Sequence, residues 1–144
     1  MMKARKREYM VRIVRASLVT ALVFVAPHNL WAQASETSVL DGSEITFYHR
    51  DGLTQEEIIT LRLVMTNRQL LEILVPGGEG YSALAVSPDD GFIRDGKPVS
   101  SASGRGGLPT AAAAAAAALQ ACEAAKAGKA ACQVVLAVGP SGKR

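Results

Sequence analysis

The spacing of apolar and polar positions divides this chain into a few short predicted elements. Residues 35–44 are polar and are expected to be loose. Ile45-Thr46-Phe47-Tyr48-His49 is a β-rich run, and Arg50-Asp51-Gly52 reads as the turn that closes it. Thr54 is an N-cap candidate with Glu57 three residues on, which is the capping-box spacing, and Leu53 with Ile58 fits a hydrophobic staple. A helix over 55–66 follows. Its apolar residues do not fall on one clean stripe, so a rival reading takes Ile59–Met65 as a strand. Leu70–Val75 is a second apolar run, ended by Pro76-Gly77-Gly78, and leans towards strand.

Tyr81–Ser87 reads as a strand stopped by the turn residues Pro88-Asp89-Asp90-Gly91. Phe92-Ile93 suggests a returning strand, Asp95-Gly96-Lys97-Pro98 another turn, and Gly104-Arg105-Gly106-Gly107 a flexible loop. Pro109 and Thr110 introduce eight consecutive alanines, Ala111–Ala118, the strongest helix signal in the chain. Gly128 is a plausible stop for that helix, and an alanine face lets it lie close to a sheet. Cys132–Val138 is a buried-type strand, followed by a polar tail. The pattern predicts an α+β fold: a small, mainly antiparallel sheet with two helices and one disulfide. Its parts are a polar N-terminal segment with a short strand (35–52), one α+β domain (53–138) and a tail (139–144).

The first 34 residues change the picture. Lys3, Arg5, Lys6, Arg7, Arg12 and Arg15 precede an apolar stretch from Ala16 to Ala26, and Ala32-Gln33-Ala34 supplies a small-residue cleavage site. That order reads as a secretory signal peptide over 1–34. The apolar stretch is about half the ~20 residues a spanning helix needs, so stable membrane insertion after cleavage is not expected. The whole sequence has 16 basic and 13 acidic residues, net +3. The leader holds six of the basic residues and only Glu8 among the acidic ones, which leaves residues 35–144 with 10 and 12, net −2. No basic patch argues for nucleic acid. The expected location is periplasmic or extracellular.

Two cysteines follow the leader, Cys122 and Cys132. An even count in an oxidising compartment favours a disulfide, worth roughly 3 kcal/mol for so short a loop. Two thiols without nearby histidine do not make a zinc site, and no metal or other cofactor is expected.

Several residues carry candidate chemistry, each beside a plainer reading. Gly104, Arg105, Gly106 and Gly107 ahead of Thr110 are a candidate anion-binding loop at a helix N-terminus, although the P-loop and dinucleotide signatures are missing and a flexible connection explains them. His49, with Ser100, Ser101 or Ser103, gives the elements of a hydrolase triad, but no nucleophile-elbow sequence surrounds those serines. Asp89, Asp90 and Asp95 offer oxygens to a hard cation, yet turn chemistry accounts for them. Glu56-Glu57 suits a helix first turn. Phe47, Tyr48, Tyr81 and Phe92 could line a binding patch, though core packing claims aromatics first.

Tyr81, Ala83, Ala85 and Ser87, then Ala118, Leu119 and Cys122, then Cys132, Val134 and Val135 form a pattern over roughly residues 80–138. It resembles an uncharacterised family of small secreted bacterial domains of unknown function: a Y-x-A-I-A-x-S strand, an Ala-rich helix with A-L-x-x-C, and a Cys-led, Val-rich strand. The resemblance implies that fold fragment and the Cys122–Cys132 bridge, and no reaction. The expected role is a non-enzymatic binding module of the cell envelope whose partner is an envelope protein or a small ligand. The alternatives are a small envelope hydrolase and a structural envelope protein without a ligand.

Overall fold

The computed structural model describes residues 34–77 and 79–140; the predicted signal peptide lies outside them, apart from Ala34. The first two strands, β1 (Ser35–Leu40) and β2 (Ser43–Tyr48), form an antiparallel hairpin. The turn Asp41-Gly42 holds φ of 50° and 84°, the left-handed pair that a two-residue type I′ hairpin requires. The stretch expected to be loose is therefore largely a strand. It is polar because it lies at the sheet edge, where alternate side chains face solvent.

Helix α1 (Gln55–Val64) starts where the capping box predicts: Thr54 Oγ1 accepts from Glu57 N–H at 3.2 Å, and Glu57 Oε2 accepts from Thr54 N–H at 2.9 Å. The rival strand reading of 59–65 is thereby overturned. A second helix, α2 (Arg68–Leu74), replaces the strand expected at Leu70–Val75. Asn67 caps it by accepting from Leu70 N–H. Helical geometry buries Leu71 and leaves Ile73 75% exposed, an arrangement that a strand buried on both faces does not allow.

Strand β3 (Tyr81–Val86) follows, then the two-residue strands β4 (Ile93–Arg94) and β5 (Lys97–Pro98), which pair only with each other. The glycine-rich segment expected as a flexible loop is strand β6 (Ser103–Leu108). The alanine tract forms α3 (Ala111–Ala125), and β7 (Gln133–Val138) ends the described fold. The main sheet has the order β1-β2-β7-β3-β6, antiparallel throughout. The hairpin of residues 35–48 is thus part of the same sheet as β3, β6 and β7. The fold is α+β, with three helices rather than two because α2 is helical.

Each face of the sheet buries a different kind of core. Ile45, Phe47, Leu84, Val86 and Leu136 pack against Leu61, Val64 and Met65 from the α1 region and Leu71 and Val75 from the α2 region. On the other face Ala83 and Ala85 meet Ala114, Ala118 and Cys122 of α3. Small side chains on both surfaces let the α3 backbone approach the sheet closely. The Cys122–Cys132 disulfide, with Cα atoms 6.2 Å apart, joins α3 to the start of β7.

Candidate functional site

Helix α3 covers only part of its face of the sheet. It lies over β3, β6 and β7, leaving the β2 side open. Strand alternation decides what is exposed there. Ile45 and Phe47 turn to the α1 core, so Glu44, Thr46 and Tyr48 turn to the other face. Thr46 stands opposite Ala137, and Ala137 opposite Ala83, which makes a shallow floor. Ala111 and Ala115 of α3 form one wall, and Tyr48, Tyr81 and Glu44 edge the remainder of a groove of about 190 Å³. The Arg50 guanidinium lies over the Tyr48 ring, 5.3 Å from its centroid, while its Nε donates to Val134 C=O at 3.0 Å. Both contacts hold Tyr48 at the groove.

The groove is chemically mixed: alanine methyls along the floor and wall, tyrosine rings and a threonine hydroxyl at hand, and a carboxylate at the rim. It suits a small amphipathic group with an apolar face and hydrogen-bond donors. Of the aromatic patch expected from the sequence, Tyr48 and Tyr81 reach the groove, whereas Phe47 and Phe92 go to the core. Glu44, Thr46, Ala111, Ala115 and Ala137 were not singled out from the sequence. Period-two alternation along 44–48 was the signal available for the first two.

The other candidates are spoken for. A Cβ on Gly104 would run into the Leu74 carbonyl oxygen, and one on Gly106 would crowd Pro76 O and Ser82 Oγ. These glycines let β6 lie against the 74–77 backbone. Arg105 Nη1 donates to Gly104 C=O at 2.8 Å, and Thr110 Oγ1 accepts from Ala113 N–H at 3.1 Å as the α3 cap. Asp90 accepts from Ala127 N–H, Gly128 N–H and Ser101 Oγ, and Asp89 from Ala130 N–H. The acidic turn therefore anchors the segment after α3. The bond from Ala127 N–H leads those that hold the Asp90 carboxyl below its ordinary value. Asp95 occupies the separate β4–β5 turn with φ 53°. Among the described residues no three His, Cys, Asp or Glu side chains are grouped to hold a metal.

The triad elements are likewise apart. His49 Nε2 lies 2.6 Å from Glu36 Oε1, and its ring stacks on Phe47 at 4.5 Å. Ser101 bonds Asp90, Ser103 bonds the Ser101 carbonyl, and Ser100 is exposed. Three strand spacings separate β2 from β6, about 14 Å, too far for His49 to serve a β6 serine.

Among the described residues Glu57 is the most buried ionisable group, at 0% exposure. Besides Thr54 it accepts from Phe92 N–H at 2.8 Å and Ile93 N–H at 3.0 Å, and it pairs with Arg94 Nη1 at 2.7 Å. Burial alone pushes its carboxyl up. The bonds from Ile93, Thr54 and Phe92, together with Arg94, outweigh that and hold it below the usual value. Its role is to bind α1 to the β4–β5 hairpin.

No family model, curated protein or solved structure matches this chain. Fold and groove together define a small α+β domain, stapled by a disulfide, with one sheet face half covered. Among the described residues no helix is long and apolar enough to cross a membrane.

Proposed function

We propose that the chain is exported, loses residues 1–34, and acts as a non-enzymatic binding module of the cell envelope through the groove between β2 and α3. The observation that carries this reading is the groove itself, where two tyrosines, a carboxylate and an alanine wall converge on an uncovered sheet face. The leader pattern supports export, and the disulfide is compatible with an oxidising compartment. The ligand is a small molecule or a segment of an envelope protein that offers an apolar surface and a donor group for Glu44.

Two measurements test this. The protein recovered from its native cell should lie in the envelope or medium and begin at Ser35; a cytosolic protein retaining Met1 or Met2 overturns export. Envelope components retained by the immobilised protein should be lost with Ala115→Trp, which fills the groove, and with Tyr81→Ala, while the circular dichroism stays unchanged. Retention that both variants leave intact removes the groove as the binding site.

A further inference from the structure

Strand β1 is the outer strand of the sheet, and its pairing with β2 settles where its backbone points. His49 N–H donates to Ala34 C=O at 2.9 Å, in line with the register that sets Ser35 opposite Tyr48. Antiparallel ladders alternate hydrogen-bonded and non-bonded pairs. Glu36, Ser38 and Leu40 therefore aim their N–H and C=O groups at β2. Ser35, Thr37 and Val39 aim theirs out of the sheet, and their side chains are exposed, Val39 to 71%.

The two edges of the sheet are treated differently. The β6 edge lies against the 74–77 backbone, which its glycines admit. The β1 edge carries no proline, lysine or bulge, the usual guards of an exposed strand. Its side-chain charges are balanced within the chain: Glu36 pairs with Arg62 at 2.7 Å and Asp41 with Arg68 at 2.9 Å. A second copy can approach without net repulsion.

We infer that β1 is a self-association edge, and that two copies pair antiparallel through it about a two-fold axis at Thr37. In this register Thr37 faces its own symmetry mate and Ser35 faces Val39 of the second copy. All three outward residues of each strand are then hydrogen-bonded, with about six N–H···O=C bonds in total. A one-residue slip would set the outward backbone groups of one strand against residues whose N–H and C=O already face β2, and the bonds would be lost. A register centred on Glu36 sets two carboxylates opposite each other, and one centred on Ser38 leaves Ser35 facing the Asp41 turn, where β1 has ended. The product is one continuous sheet built from two five-stranded halves. The axis stands perpendicular to that sheet, so both grooves open on the same face and form a bivalent surface.

Sedimentation equilibrium of the purified protein over a concentration series tests the pairing. The mass should move from monomer to dimer as concentration rises. Thr37→Pro, which removes an outward N–H, and Val39→Lys, which places a charge on the edge, should each weaken association at least about tenfold. Val39→Lys alters only an exposed side chain, so it reports on pairing even if the proline variant fails to fold. Air oxidation of Thr37→Cys should link two copies, since Cα atoms of a bonded pair lie about 5.5 Å apart, within disulfide range; Thr46→Cys should not link. A mass that stays monomeric to the solubility limit overturns the proposal. So does a dimer indifferent to Val39→Lys, or an edge that captures only an unrelated extended peptide.

Discussion

Glu57 concentrates more of this molecule's physics than any other single residue. It lies inside the first turn of α1, has no exposed surface, and remains ionised because three backbone N–H groups and Arg94 converge on it. A carboxylate placed so is costly unless every lone pair is used. Glu57→Gln keeps the shape but presents an NH2 where an acceptor is needed, and it strands Arg94. The expected loss is about 3 kcal/mol, against about 1 kcal/mol for Thr54→Ala, which removes only the cap. Urea unfolding at neutral pH checks the ranking; equal losses for the two variants would reduce Glu57 to a capping residue.

At the scale of elements, the clearest sequence signals were those with a local mechanism. Thr54 with Glu57, and the alanine tract after Thr110, specify helix starts through bonds made within a few residues. The pair Asp41-Gly42 carries a hairpin signal of the same kind, but the segment before it, 35–40, holds only Val39 and Leu40 as apolar residues, so the edge strand reads as a loose segment. Strand β6 was hidden for another reason: its glycines answer to the close 74–77 backbone, a contact that no local pattern encodes. The groove depends on where α3 stops covering the sheet, which is likewise tertiary. The disulfide was legible from two cysteines following an export leader, and it closes the α3–β7 unit across ten residues of sequence separation. Reducing the native protein should cost about 3 kcal/mol in urea unfolding. The Cys122→Ala, Cys132→Ala double variant should respond to reductant not at all; a native protein equally indifferent would show that the bridge constrains nothing.

For the whole molecule, four carboxylates are held below their ordinary values; three of them, Glu36, Glu57 and Asp90, tie together parts that the chain leaves far apart, and Glu123 fastens the end of α3 to the start of β7. Arg62 is the main cause at Glu36, joining β1 to α1, and Lys126 at Glu123, which also accepts from Cys132 N–H. Asp90 holds the segment after α3 through Ala127. Glu57 joins α1 to the β4–β5 hairpin, its bonds overcoming a burial that acts the other way. A carboxylate depressed in the folded state binds its proton more readily once unfolded, so stability is fully present above the unfolded value of about 4. It is then lost as pH falls through the folded values. Stability should be flat from neutral pH to about 5 and fall progressively below about 4. Glu36, Asp90 and Glu123 are solvent-reached, so salt should screen their share, while the share of Glu57 should survive salt and disappear in Glu57→Gln. Urea midpoints at neutral and acid pH, with and without added salt, separate the two. A midpoint unchanged on acidification would mean that these carboxylates do not hold the fold together, whereas an acid loss fully cancelled by salt would move the whole effect from the buried hub to the surface pairs.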